Sequence, residues 1–370
     1  MRAFLTALCA GVLLAAAGWA ADPNLPGPPT FITLPPNSSV ATSGTGTVPH
    51  WTGSFKYNGI PFSYTMVGTN PASGSATTTV PVEIVPIVFK FSNGVTLDPT
   101  ASSCGDSASS VSRVLNSPIF QNVAYAPGGT AIGTTQYEDA FQRANFWSTV
   151  STIAPDYHVL LGTPTVEPPV TIDVPAIFGQ APAGPCTGSG TINNGDVGLV
   201  AIGPFEFVLQ AFLAPKYPSN SLPIFLTYNT LFYQGNVNDC CILGFHTALG
   251  TAPNQLTVAV AAFSDPGLFK VPIQDIHALS HEIGEWMDDP FVSNIVPGWK
   301  GGQVTTCSFL LEPGDPVTGI ASNIPLNGFT YHPEDLVFLP WFEKAHAPTT
   351  SVNGWYTFLN SYAAPSAACL

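Results

Sequence analysis

The chain has 370 residues, 45% of them hydrophobic and only 9% charged, and its nine Lys and Arg against 23 Asp and Glu give a formal net charge of −14. Such a surface repels phosphate backbones and anionic lipid, which excludes nucleic acid as an expected partner. With 37 prolines and 34 glycines, long helices are not expected, and the length suits a loop-rich α+β architecture.

Residues 1–20 read as a secretory signal. Arg2 supplies the positive start, residues 4–17 the apolar core, and Gly18-Trp19-Ala20 a small-x-small cleavage site. Cys9 lies inside that core and belongs to the signal. The apolar run is too short for a lasting membrane span, and no later segment suits one. The expectation is therefore a secreted protein, extracellular or periplasmic, with no transmembrane anchor. Residues 21–49 form a leader rich in Pro, Ser and Gly. It has little to bury and is expected to be disordered.

Residues 50–370 are expected to form one large domain, with the β-rich stretch 50–200 as a candidate subdomain. Residues 64–67 and 79–91 read as strands, Ser92-Asn93-Gly94 as a hairpin turn and residues 95–97 as the return. Pro81 and Pro86 argue for edge positions or bulges. Residues 136–149 read as an amphipathic helix with Tyr137, Phe141, Ala144, Phe146 and Trp147 inward. The apolar run 205–213 fits helix and strand equally. Residues 223–233 and 255–263 read as strands, the second shortly before the segment that concentrates the chain's ionisable groups.

That segment is 275–290, Asp-Ile-His-Ala-Leu-Ser-His-Glu-Ile-Gly-Glu-Trp-Met-Asp-Asp-Pro. Its centre, His281-Glu282-Ile283-Gly284-Glu285, resembles the H-E-x-x-H helix of zinc proteases with the second histidine replaced by glutamate. Residues four apart share a helix face, offset by about 40°, so His281 and Glu285 point the same way and suit one metal ion. Glu282 lies about 100° round from His281, where those proteases carry the general base. Ile276, Leu279, Ile283, Trp286 and Met287 form the apolar back, Asp275 is the expected N-cap, and Pro290 limits the helix. His277 opens a second register with His281, but Ala278 then stands at the base position. His277 is therefore expected near the metal site without binding the ion.

A His281/Glu285 pair needs at least one further protein ligand. In the gluzincin branch of the zinc proteases, the third ligand is a downstream glutamate and a carboxylate steadies a ligand histidine. In Leu311-Glu312-Pro313-Gly314-Asp315-Pro316, Glu312 is the expected third ligand. Asp315 is expected to hold a ring N–H of His281. His332, Glu334 and Asp335 are the alternatives for the third place. Tyr331 is a candidate oxyanion donor, although residues 329–331 also read as a strand. His246 beside Cys240-Cys241 reads as local structure, with a place lining the cleft as the alternative. His50, His158 and His346 stand without companions.

The cysteines outside the signal are Cys104, Cys186, Cys240, Cys241, Cys307 and Cys369. An even number after export implies three disulfides with pairing left open. Adjacent Cys240 and Cys241 are expected to serve different partners.

Ser280 to Glu285, Asp289-Pro290-Phe291, Pro297-Gly298-Trp299, Glu312 and Asp315 together resemble a group of secreted bacterial and fungal proteins. They are similar, more distantly, to the plant EXORDIUM or phosphate-induced family. Cys240-Cys241-Ile242-Leu243-Gly244-Phe245-His246 resembles that family's Cys-Gly-Tyr-His segment. The resemblance covers residues 225–345. It implies a zincin-like fold in an exported protein, a small mixed β-sheet over an active-site helix, to which the cysteine count adds disulfide staples.

Two readings follow. One is a secreted metal-dependent hydrolase, a zinc (or other divalent metal) endopeptidase. In it His281, Glu285 and Glu312 bind the metal, Glu282 activates water, and the strand at 255–263 aligns a peptide or protein substrate. The other is a non-catalytic extracellular or wall-associated protein with a structural metal site. Two carboxylate ligands lower the net charge at the metal, which weakens its effect on water and carbonyls and favours the second. A base at position 282 favours the first. The sequence carries no signal of oligomeric state.

Overall fold

The computed structural model describes residues 25, 27–42, 46–102, 106–181, 197–367 and 369. The expected signal, Cys104 and Cys186 lie outside the described residues. The fold is mixed α+β, rich in sheet and poor in helix.

Strands Val82–Phe91 and Leu256–Phe263 are near-continuous apolar runs and almost wholly buried, the pattern of strands covered on both faces. They belong to a seven-stranded sheet whose main path is Val170–Val174, Val82–Phe91, Leu222–Tyr228, Leu256–Phe263 and Gly244–Leu249. The first four run parallel and Gly244–Leu249 closes the path antiparallel. The sheet crosses the boundary expected at residue 200, because Val82–Phe91 lies between Val170–Val174 and Leu222–Tyr228. Thr96–Leu97 folds back on Val82–Phe91 after the Ser92-Asn93-Gly94 turn. Pro86 stands inside the sheet rather than at an edge. On one side its strand's neighbours change from Thr165–Val166 to Val170–Val174 around that position, and such a break tolerates a residue without an N–H.

A hairpin, His50–Tyr57 with Ile60–Val67, turns on Asn58 and Gly59. Both have positive φ, 50° and 81°, as a two-residue type I′ turn requires. The helix expected at 136–149 runs over Tyr137–Asn145 and resumes over Trp147–Val150. The undecided run becomes a helix, Ile202–Val208, that continues as a π turn over Leu209–Leu213.

The motif helix is His277–Asp288. It packs on Leu256–Phe263 and on the edge strand Gly244–Leu249. Ile276, Leu279, Ile283, Trp286 and Met287 enter one core with Ala259 and Ala261, each large side chain worth about 1.5–3 kcal/mol of burial. Trp286 Nε1 donates to Thr257 Oγ1 at 2.8 Å, so the indole N–H is satisfied. Asp275 is not the cap expected of it. The helix starts after Ile276, and the Asp275 carboxylate accepts from the Ile276 and His332 amides and pairs with His332 Nδ1 at 2.6 Å. The polar front of the helix is closed to solvent. His277, Ser280, His281, Glu282 and Glu285 are all buried.

The leader expected to be disordered is held in place over residues 27–42. Thr30 bridges Ile242 and Asn37 bridges Leu249, both in parallel, so it adds a rib along the free edge of Gly244–Leu249. Cys307 and Cys369 lie at disulfide distance. Cys240 and Cys241 pair with each other, where separate partners were expected. No helix among the described residues is long and apolar enough to cross a membrane.

Candidate metal centre

Three segments meet at the front of the motif helix: the edge strand bearing His246, the turn carrying Glu312 and Asp315, and the stretch carrying Glu334. Glycines let them approach. A Cβ on Gly244 would stand 2.8 Å from Glu282 Oε1 and 2.7 Å from the Val260 carbonyl. On Gly314 it would strike the face of the His281 ring.

His281 is fixed from behind. Its Nδ1 lies 2.5 Å from Glu334 Oε2. The other Glu334 oxygen accepts from the Gly319 amide at 3.1 Å and faces His277 Nε2 at 3.3 Å. A carboxylate on Nδ1 places the ring proton there and leaves Nε2 as the ligand atom. Nε2 is buried without a hydrogen bond of good geometry, and lies 3.1 Å from Glu285 Oε1 and 3.7 Å from Asp315 Oδ1. These three residues each offer one ligand atom, all within 4.8 Å of one another.

A second trio shares Glu285. His246 Nδ1 lies 3.4 Å from Glu282 Oε2 and 3.6 Å from Glu285 Oε2, and His246, Glu282 and Glu285 also fall within the 4.8 Å limit. His246 Nε2 donates to the Asp289 carbonyl at 3.2 Å, which turns Nδ1 towards the carboxylates. Glu312 Oε2 stands 3.9 Å from His246 Nε2 and, like Glu282 Oε1, is buried with no hydrogen-bond partner.

Electrostatics follow from burial. Burial pushes the Glu282, Glu312 and Asp315 carboxyls well above the ordinary carboxylate range, and neighbouring Glu285 raises each further, while His281 pulls against this at Glu282 and Asp315. At Glu285 and Glu334 burial acts the same way but the imidazoles win, and both stay ionised. Burial lowers His281, yet Glu285 and Glu334 outweigh it and hold it well above its usual value. Burial lowers His246. The donor set fits a divalent cation on three counts: unpartnered ligand atoms, an excess of carboxylates over imidazoles, and an imidazole anchored through its far nitrogen.

The leader covers this cluster. The Phe31 ring stacks on His281 with centroids 3.5 Å apart and planes 11° apart. Thr33 Oγ1 donates to Glu312 Oε1 at 3.2 Å. Gln303 clamps the backbone between them, with Oε1 accepting from Phe31 N at 2.7 Å and Nε2 donating to Phe31 O at 3.2 Å and to Asp315 Oδ1.

Of the residues expected at the site, His281 and Glu285 converge with Asp315, and Glu282 and Glu312 lie beside them. Asp315 does not hold the ring N–H of His281. Glu334 does, and Asp315 faces Nε2 instead. His277 reaches the cluster only through Glu334. Tyr331 is elsewhere: its hydroxyl donates to the Arg113 carbonyl at 3.0 Å, because the strand Phe329–Tyr331 turns it towards that segment. His332 pairs with Asp275, and Asp335 accepts from Leu336, Leu359 and Ser361. His246 was missed as a site residue. Its signal is period two: Gly244 and His246 share one face of a strand, and that face meets the motif helix.

Comparison of the chain with protein-family profiles, curated proteins and solved structures finds no match.

Proposed function

We propose that the chain is a secreted, zincin-like, metal-dependent hydrolase of peptides, with His281, Glu285 and Asp315 holding a divalent cation and Glu282 acting as general base. One observation carries the reading. His281 is anchored through Nδ1 to Glu334 and directs Nε2 at Glu285 and Asp315, one residue from a buried carboxylate with an unpartnered oxygen. A purely structural ion has no use for that carboxylate. Zinc suits imidazole and carboxylate donors, and other divalent ions accept the same set. A bound cation supplies Lewis acidity towards a carbonyl oxygen and acidifies water.

The chain's own residues do the rest. Glu282 takes a proton from the attacking water on Oε1 and returns it to the leaving amine. His246 Nδ1 stands 3.4 Å from Oε2, beside that carboxylate. The edge strand Gly244–Leu249 offers main-chain groups that align an extended substrate. The motif resemblance to zinc proteases supports this reading, and the resemblance to the EXORDIUM family supports its fold and export.

Complete burial of His281 and Glu282, beneath a segment of the same chain, favours a second reading: a non-catalytic extracellular protein with a structural metal site. Glu282→Gln separates the two. The hydrolase reading expects metal content to be kept and chelator-sensitive cleavage of a peptide library to fall by about 10²-fold or more, whereas His281→Ala loses the metal. Cleavage undiminished in Glu282→Gln removes the assigned base. No cleavage by metal-loaded wild type selects the structural reading.

A further inference from the structure

We infer that the edge of Gly244–Leu249 is a binding groove for one extended polypeptide strand with an aromatic side chain over the metal centre, and that leader residues 27–37 are its resident occupant. This deepens the peptidase reading by naming the class of ligand and the segment that must leave before it enters. It is tested by binding, so that it stands or falls apart from turnover.

The leader makes the contacts of an added strand. Thr30 to Asn37 spans as many residues as Ile242 to Leu249, so the two parallel bridges keep one register along the whole edge. Cys241 N donates to Pro28 O, Thr30 N to Cys241 O, Leu243 N to Thr30 O, Asn37 N to Ala248 O and Gly250 N to Asn37 O, at 2.9–3.0 Å. Over the centre of the edge, Pro35 and Pro36 have no N–H to give. There Thr247 Oγ1 takes over, donating to the Leu34 carbonyl at 3.0 Å and lying 3.3 Å from that of Pro35. Main-chain pairing of this kind accepts many sequences, and side-chain pockets select among them.

Backbone pairing fixes much of the leader, and a few side chains add to it. Between residues 27 and 40 Pro29, Phe31 and Leu34 are buried, Ile32 and Val40 pack against the core, and Pro28, Pro35, Pro36, Ser38 and Ser39 are exposed. Phe31 is the anchor. Its ring lies flat on His281 while Gln303 holds its N–H and its carbonyl. An occupant of a cleft needs one anchor and a ladder. Thr33 on Glu312 completes the cover, so substrate and leader cannot share the site.

The full chain carries the test. A site-specific protease sequence replaces residues 43–45, so that the leader can be nicked while it stays bound. A fluorescent peptide of residues 27–42 is then offered to the intact and nicked proteins and followed by anisotropy. The nicked protein is expected to exchange its leader for the peptide and the intact protein to exclude it. A Phe31→Ala peptide is expected to bind about tenfold more weakly or worse, and a scrambled peptide not to bind. A nicked protein that stays folded by circular dichroism but excludes the peptide, or takes the scrambled peptide equally well, overturns the inference. Should nicking unfold the chain, hydrogen exchange on intact Phe31→Ala decides. Faster exchange at the Leu243 and Gly250 amides is expected, and unchanged exchange overturns the inference. Peptide exchange without hydrolysis of any substrate upholds the groove and defeats the hydrolase reading.

Discussion

Gly314→Ala tests the construction of the centre without assuming what it does. A Cβ there would lie 2.6 Å from His281 Cε1 and 2.7 Å from Cγ, and nearer still to Nδ1 between them. Near-equal distances to three ring atoms mean an approach onto the ring's face. Carbon contacts relax at about 3.5–4.0 Å, so the imidazole must retreat by about 1 Å. Phe31 blocks the opposite face at a centroid distance of 3.5 Å, and the 2.5 Å contact with Glu334 resists rotation. Overpacking of this kind costs about 1–3 kcal/mol. Misaligning an anchored ligand lowers metal affinity about 10- to 100-fold. Urea unfolding reads the first and a competitive chelator titration the second. Phe31→Ala frees the blocked face, so the double variant should be less destabilised than the sum of the singles by about 0.5 kcal/mol or more. Wild-type stability and affinity in Gly314→Ala, or strict additivity with Phe31→Ala, would refute the argument.

Glu334→Gln keeps the shape of the group behind His281 but removes the charge that orients the imidazole. Metal affinity should drop about 10- to 100-fold with the fold intact, and an unchanged dissociation constant would show that Glu334 does not set the ring. Glu343, pushed up to about 7 by burial from an ordinary 4.5, supplies a pH signature from a group outside the candidate metal centre. Between those two values the folded chain keeps a proton that the unfolded chain releases, so stability falls as pH rises through that window. Glu343→Gln should flatten that part of the profile in urea titrations at several pH values, and an unaltered slope would assign it to other groups.

What the sequence revealed is what local spacing encodes. Four-residue spacing brings His281 and Glu285 to one helix face, and an eight-residue apolar strand before that helix is visible as Leu256–Phe263. Side chains whose place depends on pairing between distant strands were not legible. His246 reaches the centre because Gly244–Leu249 runs antiparallel to Leu256–Phe263; period two puts it on one face with Gly244 but does not say which element that face meets. Tyr331 misled because a short strand offers two opposite faces and its sequence does not say which is inward. The leader misled for another reason. Composition measures what side chains can bury, whereas an exposed strand edge binds backbone and asks little of side chains. That the helix front is closed under the chain's own residues was not legible, because its cover, Phe31 and Thr33, comes from a distant segment of the chain.

That closure has an electrostatic consequence. Glu282, Glu285, Glu312, Asp315 and Glu334 stand buried with His246, His277 and His281, and every ion pair found among them joins a carboxylate to a histidine. Lys and Arg, the permanent cations, take no part in these pairs. A buried carboxylate left uncompensated costs several kcal/mol, and imidazoles that serve as ligands are neutral and compensate nothing. A divalent cation answers both needs, since it neutralises carboxylates and uses imidazole lone pairs. The folded chain should then be stabilised by metal, with unfolding free energy rising about 1.4 kcal/mol for each tenfold increase in free ion above the dissociation constant. Urea unfolding in buffered zinc or manganese measures that slope. His281→Ala should flatten it, because the ligand that organises the site is gone while the carboxylates remain. A wild-type chain indifferent to every divalent ion would show that protons alone balance the cluster, and the metal-centre assignment would fall with it.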